Sequence, residues 1–341
     1  MRETTFDIDF VASKLRFPAV VVLGRGPEVA AVLRALPPGD VTCYQMDLFA
    51  ADRLEAALRE VDSPAKVVTR PDLWDLSAEF RTAIYPAAAK GERALKVDMV
   101  EQAFHVLQLR GHLLVLSPYE TETFFPKELK KVFGRFHAPA SDEGPIFWSA
   151  RTGERARRRH EATFHVRTGL GQSLRFLSRP GVFAYGRFDD GARALTELMH
   201  TPSAARIIDI GCGCGTNGII AAKRGGTDTH VTFVDSNLRA VALAAINAHE
   251  NGVANFDTIA SSTVEGISEG TFDVALANPP YFAEQAIAAL FVSRAHDALK
   301  AGGRLYLVTK RVSQVAPLVE ATFGNVEATE RRGYVILEAE R

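Results

Sequence analysis

The sequence predicts an α/β protein built as two tandem Rossmann-like domains, each a doubly wound and mostly parallel sheet, with the N-terminal copy degenerate. Three observations carry this reading. Short apolar runs alternate with helical patterns from Ala204 onward, the rhythm of parallel strands joined by crossover helices. A glycine-rich turn follows the first of these runs, at Gly211, Gly213 and Gly215, where a doubly wound sheet binds its ligand. The first half of the 341 residues repeats the plan of the second, and that length suits two domains of ordinary size.

In the second half, residues 206–210 read as a buried strand and 216–224 as the helix after its glycine turn. A second strand is expected at 230–235, then an apolar helix over 238–249 that stops near Asn251-Gly252. A strand over 271–277, a helix over 284–299 and a strand over 303–308 continue the series. The first half matches it in three places. Val20-Val21-Val22-Leu23-Gly24-Arg25-Gly26 lies over Ile207-Ile208-Asp209-Ile210-Gly211-Cys212-Gly213, and Val41-Thr42-Cys43-Tyr44-Gln45 over Val231-Thr232-Phe233-Val234-Asp235. Val100, Ala103, Leu107, Gly111 and Leu113 match Val292, Ala295, Leu299, Gly303 and Leu305 at a constant offset. The differences fall on polar groups: Val22 stands for Asp209, Gln45 for Asp235, and Tyr85-Pro86 lies near the place of Asn278-Pro279-Pro280. A cofactor site is therefore expected in the second half alone.

The glycines at the end of a strand let the backbone approach a nucleotide-like ligand, and alone they leave dinucleotide binding, methyl-donor binding and a plain tight turn open. Asp235, about 20 residues further on, offers an acceptor for ribose hydroxyls, as NAD and S-adenosylmethionine both require. The run is Gly-x-Gly-x-Gly followed by Asn217 and Gly218, whereas a dinucleotide site wants Gly-x-Gly-x-x-Gly to seat a pyrophosphate on the helix N-terminus. That difference favours S-adenosylmethionine. Asn278-Pro279-Pro280-Tyr281 is the most specific element. Its prolines fix the backbone and remove amide donors, so carbonyl oxygens and the Asn278 side chain are held in place. Such acceptors can grip the hydrogens of a planar NH2 group and free the nitrogen lone pair for in-line attack on a methyl sulfonium; positioning and electrostatics supply the rate. Tyr281 is placed to stack on a flipped-out base.

Apolar residues make up 47% of the chain and charged residues 24%, a balance that allows packed cores. No stretch reaches the ~20 consecutive apolar residues of a membrane span. The start, Met1-Arg2-Glu3-Thr4-Thr5-Phe6-Asp7, lacks the charged-then-apolar order of a signal peptide, so a cytoplasmic location is expected. Cys43, Cys212 and Cys214 are too few and too oddly spaced for a disulfide framework or zinc site and read as reduced structural thiols. The nine histidines show no ligand spacing, and no metal is expected. With a net charge of −1 the chain as a whole is no generic polyanion binder. Between Arg151 and Arg187, however, nine arginines face only Glu154 and Glu161, most densely at Arg157, Arg158 and Arg159. A solvated linker and a phosphate-binding patch both fit, and the neighbouring cofactor site favours RNA. Lys127, Lys130, Lys131 and Arg135 read first as the solvated face of a helix.

These residues resemble the methyltransferase small domain superfamily. Pro180-Gly181-Val182-Phe183, followed by Asp190-Gly191 and an apolar helix, resembles the segment before the first strand of bacterial rRNA guanine-N2 methyltransferases. In that family a duplicated, inactive N-terminal copy precedes the active one. The resemblance covers about the whole chain and is strongest from Phe176 to Val308. It implies an S-adenosylmethionine-dependent enzyme forming N2-methylguanine in ribosomal RNA, with rRNA or a ribosomal subunit as partner and a monomer favoured. Residues 1–149 would be a degenerate methyltransferase-like domain for RNA recognition, 150–165 a basic linker, and 166–341 the catalytic domain. It further implies that Phe183, Asp209, Gly211, Gly213, Gly215, Asp235, Ser236, Ser262 and Asn278 line the cofactor pocket, and that Asn278, Pro279 and Tyr281 act on the substrate. Two departures keep the target open. Ser262 stands where an Asp or Asn often meets the adenine amino group, and Tyr281-Phe282 replaces the usual Phe-His. Asn-Pro-Pro-Tyr-Phe also resembles adenine-N6 methyltransferases, acting on tRNA or rRNA. Methylation of a protein glutamine amide uses the same grip on a planar amide, and an RNA-binding module with a relic cofactor site is the non-enzymatic alternative.

Overall fold

The computed structural model describes residues 6–77, 79–119, 121–139, 144–168, 171, 173–279 and 285–341, and it divides into two compact units, 1–160 and 161–341. The first unit runs α1 (Ile8–Lys14), β1 (Ala19–Val22), α2 (Gly26–Ala35), β2 (Val41–Gln45), α3 (Leu48–Glu60), β3 (Lys66–Thr69), β4 (Phe80–Pro86), α4 (Arg93–Val106), β5 (Leu107–Leu116), α5 (Phe124–Phe133) and β6 (Ile146–Ala150). Its sheet has the order β3-β2-β1-β4-β5-β6, parallel except for β6.

The second unit opens with an antiparallel hairpin, β7 (Ala162–Arg167) and β8 (Ser173–Ser178). It continues through α6 (Asp190–Leu198), β9 (Arg206–Ile210), α7 (Thr216–Gly225), β10 (His230–Asp235), α8 (Leu238–Glu250), β11 (Phe256–Ala260) and β12 (Phe272–Ala277). The chain closes with α9 (Gln285–Ala298), β13 (Leu299–Thr309), α10 (Val312–Phe323), β14 (Glu327–Arg331) and β15 (Tyr334–Glu340). The sheet order is β11-β10-β9-β12-β13-β15-β14, parallel except for β15, which runs antiparallel to both β13 and β14.

Alternation along each strand divides the side chains between two cores, as helices on both faces of a sheet require. Ile207, Phe233, Val274 and Leu276 pack on one side, and Ile208, Ile210, Val234 and Ala275 on the other. The strands expected at 206–210 and 230–235 form with those bounds. β13 starts at Leu299, ahead of 303, because its register with β12 shifts between Phe272 and Val274. β11 and β14 escape pattern reading for a physical reason: both flank the sheet, and every residue of β14 is exposed.

The two sheets correspond down to backbone irregularities. β4 and β5 shift register between Phe80 and Thr82 as β12 and β13 do between Phe272 and Val274. A Cβ on Gly111 would lie 2.9 Å from the Gln108 carbonyl, and one on Gly303 2.9 Å from that of Lys300, so each β5-type turn excludes any side chain. Arg110 N–H donates to the Arg151 carbonyl at 2.7 Å and Gly302 N–H to that of Arg341 at 2.7 Å. The guanidinium groups of Arg151 and Arg341 in turn donate to Leu107 and Leu299 carbonyls.

Register also corrects the sequence alignment at one point. Val21 faces Cys43 and Ile84, whereas Asp209 faces Phe233 and Leu276. Val21, and not Val22, therefore occupies the place of Asp209. Leu23, at φ +57°, then stands for Gly211, at φ +70°; each donates its N–H to the neighbouring strand, to Tyr44 at 2.9 Å and Val234 at 2.8 Å. Three successive valines gave the sequence no marker for this one-residue slip.

Candidate cofactor and substrate site

The strand order reverses direction between β9 and β12, and the crevice outside their carboxyl ends is where such sheets take ligands. The loop after β9 carries the glycines. Gly213 sits at φ +55° with no atom within 4 Å of the place its Cβ would take, which leaves its backbone open to a close-fitting ligand. Gly211 lies against Phe291, and Gly215 packs on Ala244 and Ile219, so these two serve the packing of the loop.

Beneath the loop, Asp209 is 1% exposed. Its Oδ2 accepts the Gly218 N–H at 2.8 Å, tying β9 to the first turn of α7. Burial pushes its carboxyl up to about 7, against the Gly218 hydrogen bond and with help from the nearby Asp235 charge. Asp235 ends β10 half-buried; Oδ2 accepts the Gly213 N–H at 2.9 Å and Oδ1 the Asn237 N–H at 2.9 Å. One carboxylate thus joins the glycine loop to the start of α8. Ser236 follows it half-buried, and Ser262 lies two residues past the end of β11, also half-buried.

The Pro180-Gly181 turn is fastened to the same place. Asn237 Nδ2 donates to the Gly181 carbonyl at 2.8 Å, and the wholly buried Arg239 donates to that of Pro180. Val182 is buried there while Phe183 is 52% exposed. Asn247, also wholly buried, donates Nδ2 to the Cys214 and Leu177 carbonyls at 2.8 and 2.9 Å, so one amide holds hairpin strand β8 to the glycine loop. Cys212 and Cys214 are buried, and burial drives both thiols up, Cys214 to about 12; they are inert at neutral pH.

Asn278 directly follows β12 and is half-buried. Its Nδ2 donates to Asp189 Oδ2 at 3.3 Å. Asp189 is 8% exposed and caps α6, the same Oδ2 accepting the Ala192 N–H at 2.9 Å. Pro279 is buried, whereas Pro280 and Tyr281 lie outside the described residues. Asp189, Asn237, Arg239 and Asn247 were not picked out from the sequence. Among the described residues no group of His, Cys, Asp and Glu could hold a metal, and no helix is long and apolar enough to cross a membrane.

The corresponding loop of the first unit is built the other way round. Gln45, 3% exposed, donates Nε2 to the Gly24 carbonyl at 2.9 Å, where Asp235 accepts an N–H. A Cβ on Gly24 would lie 2.7 Å from both Pro86 and Val29, and by register Tyr85 matches Ala277, so Pro86 stands at the position of Asn278 itself. Side chains fill this crevice.

The arginine stretch does not run loose. Arg155 Nη2 meets the fully buried Glu101 at 3.2 Å and Nη1 donates to the Lys131 carbonyl at 3.0 Å. His160 Nε2 lies 3.2 Å from Glu101, and Arg157 stacks 5.7 Å from the Trp74 ring centre. Burial alone would raise Glu101; His160, Arg155 and Arg158 outweigh it and hold the carboxyl low. Arg157, Arg158 and Arg159 are exposed.

A doubly wound sheet of this order, with an open glycine loop, an acidic end to its second strand and an Asn-Pro after its fourth, defines the second unit as a Rossmann-like methyltransferase fold. Residues 173–338 match the methyltransferase small domain family. The second unit carries that domain. It is 36% identical over 169 residues to ribosomal RNA small subunit methyltransferase C of Chromohalobacter salexigens, covering 47% of this chain and 49% of that protein. It is 32% identical over 173 residues to the uncharacterized YbxB of Bacillus subtilis, covering 49% of this chain and 85% of that one. The chain spans about half the length of the curated rRNA methyltransferases it matches. A solved structure of the T. thermophilus 16S rRNA N2 methyltransferase in complex with AdoMet and guanosine shares the fold with TM-score 0.75, 20% identity, and coverage of 98% of this chain and 91% of that one.

Proposed function

We propose that the chain is an S-adenosylmethionine-dependent N-methyltransferase that forms N2-methylguanine in ribosomal RNA. The observation that carries this reading is Asn278, at the edge that also holds Gly213 and Asp235, with its amide NH2 turned to Asp189. The open Gly213 backbone and the half-buried Asp235 carboxylate fit the donor: Asp235 would accept from its ribose hydroxyls, with Phe183, Ser236 and Ser262 around it. When bound, S-adenosylmethionine supplies an electrophilic methyl group. Asn278 Oδ1 and the Pro279 carbonyl accept the hydrogens of the target amine, which localises the lone pair for attack and needs no general base. Tyr281 stacks on the base.

The rRNA small and large subunit methyltransferases among the relatives support an rRNA substrate, and the guanosine bound in the T. thermophilus enzyme of the same fold supports guanine over adenine. Guanine presents a donor at N1 where adenine presents an acceptor, so a site built for one leaves a buried polar group unpaired with the other. The exposed Arg157, Arg158 and Arg159 bind RNA phosphates, and the first unit contributes surface and no cofactor.

The test is nucleoside mass spectrometry after incubating purified protein, labelled methyl donor and unmodified rRNA. Label in N2-methylguanine is the expected result, and label in N6-methyladenine alone overturns the target. In an RNA-binding titration at several salt concentrations, replacing all three arginines by alanine should reduce the slope of log affinity against log salt by about two to three; an unchanged slope returns them to the solvent.

A further inference from the structure

We infer that Asp189 is the positioning residue for Asn278, the group that decides which end of the Asn278 amide faces the substrate. This rests on the methyltransferase reading given above. An asparagine amide is nearly symmetric in shape and opposite in chemistry at its two ends, so a site that needs its oxygen must prevent a half-turn about the side-chain bond. An ionised carboxylate can only accept. With Asp189 Oδ2 at 3.3 Å, the end of Asn278 turned toward α6 must be the NH2, and Oδ1 is thereby set on the opposite side. Flipping the amide would bring two oxygens together in a place where Asp189 is 8% exposed, with little water to separate them.

The carboxylate is itself fixed. It caps α6, accepting the Ala192 N–H at 2.9 Å with the same oxygen that meets Asn278. Helix α6 is anchored in turn: Ala192, Ala194 and Leu195 are buried, and Arg331 and Arg332 from the β14–β15 hairpin both meet Glu197 near its far end. The line of support therefore runs from the sheet's antiparallel edge, through α6, to the amide. Sequence distance hides it, because 89 residues separate Asp189 from Asn278.

Asp189→Ser separates the two duties, since serine caps a helix as well as aspartate but is too short to reach Asn278. We expect Asp189→Ser to keep the thermal midpoint and the donor affinity of the parent, measured by calorimetry, and to lower methyl transfer to rRNA about 10- to 100-fold, the scale of one charge-assisted hydrogen bond. Asp189→Asn, whose oxygen can still accept from both partners, should recover most of that loss. Adding Asp189→Ser to Asn278→Ala should lower the rate no further, because the effect passes through Asn278. The side-chain amide resonance of Asn278, identified by its loss in Asn278→Ala, should move in Asp189→Ser. A parent protein that transfers no methyl group refutes the function and leaves the resonance shift as the readout of the contact. An active parent with an Asp189→Ser rate within twofold of it, or an unmoved Asn278 resonance, overturns this role. So does a lost basic or acidic limb in the pH–rate profile of Asp189→Ser, which would make Asp189 a proton carrier.

Discussion

The two units share one strand order over six strands, to which the second adds β14 and the β7–β8 hairpin, and in their matching strands they differ most at the carboxyl edge. Gly111 and Gly303 meet equivalent carbonyls, and Arg151 and Arg341 close equivalent turns. At the carboxyl edge, by contrast, Val21 replaces Asp209, Gln45 donates where Asp235 accepts, and Pro86 fills the crevice against Gly24. Backbone close approaches survive in both because any side chain there would break the fold. Polar groups at that edge have no such support from packing: a buried Asp209 pushed to about 7 costs stability, and valine in its place does not.

The widest separation between the halves should appear at Asn278. Asn278→Ala is expected to lower turnover by about 100-fold or more while donor affinity stays within a few fold, since in the proposed mechanism the amide acts on the transition state. Pro86→Asn should add no activity. Equal losses of binding and turnover in Asn278→Ala would make the residue structural.

Next in size is the donor itself. One S-adenosylmethionine should bind per chain, and Asp235→Ala should weaken it by roughly 1.5–3 kcal/mol, while Gln45→Ala leaves it unchanged. A measured stoichiometry of two would erase the distinction between the units.

A smaller effect follows from protonation. Asp209 has a folded-state pKa of about 7, above its value of 3.8 in the unfolded chain, so the native state binds the extra proton. Its contribution to stability is present at low pH, falls as pH rises from about 4 to about 7, and is level beyond. Asp209→Asn keeps an acceptor for Gly218 and should flatten that part of the melting profile; Val21 gives the first unit nothing comparable. An identical pH slope in parent and variant would show that Asp209 is already ionised.

Asp235, the glycine run and Asn278-Pro279 were legible in the sequence because each is a local pattern set by the end of a strand. Their supports were not. Asp189 reaches Asn278 across 89 residues, Asn247 reaches Cys214 across 33, and Arg239 reaches Pro180 across 59; such bonds follow from the packing of α6 and α8, which no periodicity encodes. Hairpin β7–β8 was also missed, since each strand turns only two apolar side chains fully inward, Phe164 and Val166 on one and Leu174 and Phe176 on the other, with the polar Ser178 beside them.

The anchoring of Arg155 and His160 on Glu101, and of Arg157 on Trp74, changes the thermodynamics of the stretch between 151 and 160. A free basic tether loses backbone and rotamer freedom each time it meets a polyanion, at about 1–2 kcal/mol per residue ordered. Here that freedom is surrendered during folding. Arg158 and Arg159 are presented from an ordered segment, so the phosphate contact proposed for them would be preorganised, and its salt dependence should come with little of the unfavourable entropy that marks a disordered arm.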